Sequence, residues 1–600
     1  MIKTVWADAV NKQCPLAEYP RPQFERKSWL CLNGEYEYAI TEKDMPSPEK
    51  YDGKITVPFA VETELSGVCK PLLPSQALWY RRTFSLTDDF KGKRTLLHFT
   101  SVDWQCSVWI NGKQAGKHTG GYNPFTFDIT SLVTEGENEM VVRVYDPTDA
   151  GHQQRGKQYL KPFGFWYTAT SGIWQTVWLE PVNENRIESI KITPDIDKGV
   201  ICFDAKITGE GQLSAEIFDG EEKIFSGDIE AKCEIPVPSA KLWSPESHFL
   251  YTVKFYLNGG SDDEVSSYFG MRKFSIMNDD KGIPRLALNN KPYFQKGLLD
   301  QGYWPESGLT APTDEAMIFD IAEMKRLGFN MLRKHIKEEP ARWYYHCDRL
   351  GMLVWQDMIS GGKALKPVYA GVFPNINVHV KDNQYKVFHR DEPEWREEFE
   401  KELYELIDNL YNSVSICCWV PFNEAWGQFD AARIAKAVKK YDPSRLVDHA
   451  SGWYDQYEGD MRSTHIYILP LKIHQPDHRA YVISEFGGYS LKTEGHTWCP
   501  KDAFGYRMFK TPEQLTTKLE QLYLGQLLPL IPKGLSAVVY TEVSDVENEV
   551  NGLLTYDRDR IKPIAARVKM FNKRIANEYE RIGILDLPAE ETEEAETTQE

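Results

Sequence analysis

Ile416-Cys417-Cys418-Trp419-Val420-Pro421-Phe422-Asn423-Glu424 and Tyr481-Val482-Ile483-Ser484-Glu485-Phe486-Gly487-Gly488 decide the fold of the C-terminal half of this chain. Each opens with an apolar run that does not alternate, the pattern of a strand covered on both faces in a parallel sheet. Each then stops at a carboxylate. Outward from these two, the same texture recurs and predicts eight strands: Tyr293–Leu299, Phe329–His335, Met352–Met358, Ile416–Glu424, Leu446–Ser451, Arg462–Tyr467, Tyr481–Phe486 and Ser536–Asp545. Amphipathic helical patterns fall between most of them, at Asp314–Leu327, Pro340–Leu350, Trp395–Tyr411 and Pro512–Leu528, with Ile561–Glu578 closing the series. Strands alternating with helices give βα units, and eight units within residues 277–583 have the size of a (β/α)₈ TIM barrel. The alternative, a doubly wound open sheet, calls for a Gly-rich first turn. The sequence has none.

N-terminal to the barrel the rhythm is that of strands alone. Residues 1–183 carry short alternating segments such as Thr95–Phe99, Cys106–Ile110 and Met140–Tyr145, with a hairpin signal at Asn111-Gly112. They are expected to form a jelly-roll β-sandwich. Residues 184–276 continue the period of two over a smaller unit, as in Leu250–Leu257, and suit an immunoglobulin-like β-sandwich. Residues 584–600 form a Glu/Thr-rich stretch that reads as a disordered acidic tail.

Composition excludes several classes. A formal net charge of −18 offers no basic footprint for nucleic acid. No run of about 18 apolar residues is present to span a membrane as a helix. The N-terminus lacks the apolar stretch of an export signal, and the 10 Cys follow no disulfide spacing. Free thiols and a cytoplasmic location are therefore expected. C-x-x-C, H-E-x-x-H, phosphate-binding and G-x-G-x-x-G motifs are missing, so no metal and no cofactor are expected. The 17 Trp and 31 Tyr exceed what core packing needs, and flat sugar faces stack on such rings.

In a barrel of this kind the site lies at the C-terminal ends of the strands. Glu424 ends the fourth and Glu485 the seventh, across the mouth from one another. A carboxylate at the end of an apolar strand is costly to bury, and two facing each other about 5–5.5 Å apart are what a retaining glycosidase uses. One attacks the anomeric carbon; the other protonates the leaving oxygen and then activates water.

With these residues the chain resembles glycoside hydrolase family two, the β-galactosidase and β-glucuronidase family, over about residues 60–580. Ser171-Gly172-Ile173-Trp174-Gln175-Thr176-Val177-Trp178-Leu179 looks like the signature of its sugar-binding domain. Leu242-Trp243-Ser244-Pro245-Glu246 and Phe269-Gly270-Met271-Arg272 are similar to the entry and exit motifs of its second sandwich. Asn423-Glu424 and Ser484-Glu485-Phe486-Gly487-Gly488 match the acid/base and nucleophile motifs. The resemblance implies that Glu424 is the acid/base and Glu485 the nucleophile, that Asn423 bonds the sugar 2-hydroxyl, that Arg333 orients Glu485, and that Tyr467 donates to it. His465 and His335, with Asp300, Trp498 and Tyr540, are further candidates for contacting sugar; Trp304 is also at a strand end. Asp146 and Gln158 are candidates for a rim lent by the first sandwich.

Departures from the pattern bear on the substrate. Arg333-Lys334-His335-Ile336-Lys337 stands where relatives carry Arg, two residues, then His-Tyr-Pro. Gln356-Asp357 replaces Asp-Glu after the third strand, so the magnesium ligands of some relatives are not evident. The Asn-x-Lys element of β-glucuronidases is absent after Glu485, and the eighth strand, Tyr540-Thr541-Glu542-Val543, lacks a Trp. The expected function is a retaining exo-β-glycosidase acting on a small oligosaccharide or glycoside. β-Galactose ranks before β-glucuronate, with β-galacturonide, mannoside and arabinoside as alternatives. A carbohydrate-binding protein without catalysis is the alternative of another class. A homo-oligomer is compatible with the resemblance.

Overall fold

A computed structural model of the chain describes residues 2–376, 378–473 and 477–582, so the acidic tail lies outside the described residues. The first sandwich pairs a six-stranded antiparallel sheet with a four-stranded one. Alternation supplies its core: along Glu137–Tyr145, Asn138, Met140, Val142 and Val144 are buried while their neighbours are not. Asn111 and Gly112 both take positive φ, at 51° and 76°, and join Gln105–Ile110 to Lys113–Thr119 as the expected tight hairpin. The second sandwich packs a three-stranded sheet, in which Val200–Thr208 is central, on a four-stranded one containing Tyr251–Leu257. Arg26 ties the two sandwiches together. Its guanidinium donates to Glu180 at 2.9 Å and to Asp263 at 2.8 Å, all three side chains being buried.

All eight barrel strands form, at Gln295–Asp300, Met331–Lys334, Leu353–Asp357, Ile416–Val420, Leu446–Val447, Met461–Ile466, Ala480–Gly487 and Leu535–Thr541. They make one parallel sheet in the spatial order fifth, fourth, third, second, first, eighth, seventh, sixth. The ring is nearly closed. Between the fifth and sixth strands, side chains and connecting segments take over from the ladder. The Asp460 carboxylate accepts from Val447 N (2.8 Å), and Ser463 Oγ donates to Asp448 (2.7 Å). Helices cover the outside; Asp314–Arg326 starts at Thr313, whose side chain caps Ala316 N, and places Asp and Glu in its first turn and Lys and Arg in its last. Five strand ends fall within one residue of the sequence reading and three fall four residues short. The fourth stops at Val420 because Pro421 has no N–H for the ladder, the fifth at Val447, and the eighth at Thr541. Their polar tips leave the sheet and become the rim.

The first sandwich sits over that rim. Tyr167 Oη donates to Glu549 (2.5 Å) and Thr168 N to Glu547 (2.9 Å), both beyond the eighth strand, while Arg155 N donates to Ser360 O (3.1 Å) beyond the third.

Candidate active site

The segment after Val420 presents Glu424 by an unusual backbone. Asn423 forms an isolated parallel bridge with Ser451, and Glu424 N donates to Ser451 O at 2.9 Å. Glu424 and Ala425 then both adopt the left-handed region, with φ of 48° and 61°. That conformation costs a non-glycine residue about 1–3 kcal/mol and persists only where surrounding contacts enforce it, as they do at many active sites. The turn brings the Glu424 side chain, 28% exposed, over the barrel axis. Opposite it, Glu485 is buried at the end of the seventh strand. Oxygen atoms of the two carboxylates lie within 4.8 Å of one another.

Glu485 is surrounded by donors. Arg333 Nη1 donates to its Oε1 at 3.2 Å, Tyr467 Oη donates to its Oε2, and His465 Nδ1 is 3.5 Å from the same oxygen. Burial alone would raise its pKa. The charges of His465 and Arg333, with the hydrogen bond from the Tyr467 hydroxyl, outweigh burial and hold the carboxyl below the usual carboxylate range. Glu485 is thus held as an anion. Tyr467 is pushed well above the ordinary phenol value by burial and by Glu485, so it stays a donor.

Arg333 organises more than Glu485. Wholly buried, it donates through Nε to Asp357 (2.9 Å), through Nη1 also to Ser484 O (3.1 Å), and through Nη2 to Asn423 Oδ1 (2.7 Å). The last bond fixes the orientation of the amide: Asn423 Oδ1 faces Arg333, so its NH₂ is left to donate toward a ligand. Asp357 also meets His335 Nδ1 at 2.8 Å. Burial and the Lys157 charge hold His335 well below its ordinary pKa, so the ring is neutral, with Nδ1–H on Asp357 and Nε2 as an acceptor.

His465 links the two carboxylates. Its Nδ1 is 2.7 Å from Glu424 Oε1, and its Nε2 is 3.1 Å from Ser451 Oγ, which donates onward to Ser484 Oγ at 2.9 Å. With the Ser451 hydrogen spent on Ser484, Ser451 accepts from Nε2–H. Nδ1 is then the atom that faces Glu424.

The glycines after Glu485 are required by close approach. A Cβ on Gly488 (φ 61°) would lie 2.5 Å from the Tyr506 ring and 3.1 Å from that of Tyr467. These two rings stack at 4.0 Å and 7°. Gly488→Ala is expected to displace the stack and with it the hydroxyl on Glu485, lowering kcat/KM by about 100-fold with little change in secondary structure. Steady-state kinetics beside circular dichroism check this.

Seven of the sequence-derived residues therefore converge: Glu424, Glu485, Asn423, Arg333, His335, His465 and Tyr467. The others lie elsewhere. Asp300 is engaged by Lys334 Nζ (2.7 Å) and Gly302 N (3.0 Å), within a buried charge network that includes Glu339 and Lys337. Tyr540 is buried beneath Gly487 and bonds the backbone of Tyr489. Trp498 meets Tyr556 edge-on at 5.6 Å, and the Arg558 guanidinium lies over the Trp304 ring. Asp146 and Gln158 bond inside the first sandwich, to Ser171 and to Asp103 and Tyr122. It is Lys157, in the turn just before the two-residue strand Gln158–Tyr159, and not the buried Gln158, that acts on the barrel. Its charge acts on both His335 and Glu542.

Asp357, Ser451, Ser484, Tyr506 and Lys157 were not anticipated as partners of the site. Asp357, ending an apolar strand run as Glu424 and Glu485 do, carried the only such signal. Glu542, at the tip of the eighth strand, is buried with neither carboxyl oxygen hydrogen-bonded, and burial and Glu549 push its pKa well above the ordinary value.

Glu424, His465 and Glu485 also offer a donor set that a divalent cation could use. Arg333 beside Glu485 opposes such a cation electrostatically, and the lone pairs concerned are already spent on His465, Tyr467 and Arg333. The fit is poor.

Comparison with known proteins places this geometry. The family models for the sugar-binding domain of glycosyl hydrolases family 2, for glycosyl hydrolases family 2, and for its TIM barrel domain match residues 31–181, 185–272 and 282–494. Among curated proteins, a β-galactosidase of Priestia megaterium is 23% identical over 497 residues, covering 78% of this chain and 45% of that protein. A putative β-glucuronidase of Formosa agariphila is 29% identical over 393 residues, covering 62% and 34%. The chain thus spans a third to a half of the length of these relatives. Among solved structures, a β-D-glucuronidase of Dictyoglomus thermophilum superposes with a TM-score of 0.73 at 15% identity, covering 93% of this chain and 98% of that one. A β-galacturonidase of Eisenbergiella tayi does so with 0.68 at 19%, covering 93% and 98%. With three consecutive domain models of one family matched in order, the chain belongs to glycosyl hydrolase family 2.

Proposed function

We propose that this chain is a retaining exo-β-glycosidase, with Glu485 as nucleophile and Glu424 as acid/base. The carrying observation is the pair itself: carboxylate oxygens within 4.8 Å, one buried among donors and the other partly open. An inverting enzyme needs its carboxyl groups about 6.5–9.5 Å apart to admit water between them.

In the first half-reaction Glu485 attacks the anomeric carbon while Glu424 gives its proton to the leaving oxygen. As positive charge develops on the sugar ring, the Asn423 amide donates to the 2-hydroxyl and the Glu485 carboxylate turns from hydrogen-bond acceptor to covalent ester. In the second half Glu424, now a base against His465, removes a proton from water as the water oxygen bonds to the anomeric carbon, and the anomeric C–O bond to Glu485 breaks, releasing the sugar and restoring the carboxylate. Arg333 and Tyr467 stabilise Glu485 as leaving carboxylate.

For the sugar, a neutral β-galactoside is favoured. Lys157, from the first sandwich, carries its charge toward His335 and the buried Glu542, and the Asn-x-Lys element associated with a substrate carboxylate is absent after Glu485. β-Glucuronides and β-galacturonides are the second reading, favoured by the Lys157 charge. A panel of nitrophenyl β-galactoside, β-glucuronide, β-galacturonide, β-mannoside and α-L-arabinoside tests both. Turnover of the galactoside at least tenfold above the uronides is expected, and the reverse order would replace it. Sugar binding without turnover of any member would favour a non-catalytic carbohydrate-binding protein instead.

A further inference from the structure

The two proposed catalytic carboxylates are joined by an arc of aromatic rings of which the proposed chemistry uses only Tyr467. It starts at Tyr467, whose hydroxyl holds Glu485. Tyr506 stacks on Tyr467 at 4.0 Å, and Phe504 meets Tyr506 edge-on at 5.5 Å. Phe165, from the first sandwich, meets Phe504 at 5.6 Å and its neighbour Trp166 at 5.5 Å. Trp166 meets Trp426 edge-on at 5.0 Å, and Trp426 N donates to Asn423 O in the turn that carries Glu424. The arc is built rather than incidental: the buried Arg155 guanidinium lies over Trp166 at 5.6 Å and over Trp426 at 5.0 Å, pinning the sandwich loop to the barrel. Two of its members, Phe165 and Tyr506, are each 37% exposed, an unusual outlay of apolar surface for rings so near an active site.

Direction settles what such an arc can meet. Glu485 lies on the buried side of the pair and Glu424 on the open side, so the oxygen protonated by Glu424 points outward. Whatever is attached to that oxygen leaves past the loop of the first sandwich and the segment holding Phe504 and Tyr506. Aromatic faces and edges bind flat apolar faces, which aryl groups and pyranose rings both present.

We propose that Tyr506, Phe504, Phe165 and Trp166, between Tyr467 and Trp426, form the leaving-group subsite, a shelf for the flat face of a ring attached to the scissile oxygen. This rests on the glycosidase reading and adds to it a role for the first sandwich in choosing what is released. Phe165 and Trp166 are the rings to alter, because both stand on a surface loop and neither touches Glu424 or Glu485.

The test compares three substrates that share the sugar selected by the nitrophenyl panel: the glycosyl fluoride, whose leaving group is a single atom; the nitrophenyl glycoside; and a disaccharide. Each stacked ring contributes about 0.5–1.5 kcal/mol, or about 2- to 12-fold. Phe165→Ala and Trp166→Ala should each lower kcat/KM for the nitrophenyl glycoside relative to the fluoride by that factor, and the double variant by about their product. A parallel fall for the disaccharide extends the shelf to sugar rings; an unmoved disaccharide confines it to aryl groups. Equal losses on fluoride and nitrophenyl substrates, or an unchanged ratio, would overturn the shelf and leave the catalytic pair standing. Inactivity of the wild type on all three would remove the glycosidase reading, and the shelf with it.

Discussion

Glu485→Gln should reduce turnover of a nitrophenyl glycoside by on the order of 10⁴-fold or more, with the fold intact. The side chains are isosteric, and the amide can keep its oxygen toward Arg333. What is lost is the nucleophile: an amide does not attack the anomeric carbon, and the covalent intermediate cannot form. Intact-protein mass spectrometry with a 2-deoxy-2-fluoro glycoside offers the direct readout. Wild type should gain one glycosyl group on Glu485 and the variant none. Wild-type-like turnover by Glu485→Gln, or a label on another residue, would end the assignment.

Arg333→Met should have the second largest effect, on activity and stability together. Arg333 is wholly buried and bonds Asp357, Glu485, Asn423 and Ser484 O. Removing one partner of a buried charge network costs about 3–5 kcal/mol, because the remaining carboxylates are left uncompensated. Chemical denaturation would show this loss in the barrel. The pH profile separates a catalytic contribution from a purely structural one. In the folded protein the Glu485 carboxyl is held below its ordinary value, against burial, by His465 and Arg333. Its ionisation therefore stabilises the fold above the unfolded carboxylate pKa, and that stabilisation disappears as pH falls through the lower folded value. Activity likewise should persist below the usual carboxylate range. In Arg333→Met burial is less opposed, so the acid limb of kcat/KM should move to higher pH. Should Met unfold the barrel, Arg333→Lys keeps a charge without the fork and reads the same limb. An acid limb that stays in place would remove Arg333 from the control of the nucleophile.

Much of this was legible in residues near one another in the chain. Unbroken apolar runs marked the barrel strands, since a strand covered on both faces has no polar side to show. A carboxylate directly after such a run marked Glu424 and Glu485, because burial makes that position costly unless something uses it. Asn111-Gly112 carried its turn for an equally local reason. Strand ends were less well defined: Pro421 stopped the fourth strand early, and the positive φ of Glu424 and Ala425 is enforced by Ser451, which arrives from the next strand.

What only the tertiary structure decided is who meets whom. Asp300 and Tyr540 lie at strand ends much as Arg333 and Tyr467 do, yet Lys334 claims the first and packing against Gly487 buries the second. Gln158 bonds Asp103 and Tyr122 within the first sandwich, while the charge of Lys157, in the turn before it, acts on His335 and Glu542 of the barrel. Phe165 and Trp166 reach the barrel mouth only because the first sandwich docks there through Tyr167, Thr168 and Arg155. Sequence order fixes periodicity and the chemistry of each position; contacts between residues hundreds of positions apart depend on how domains close on one another, and no local pattern encodes that.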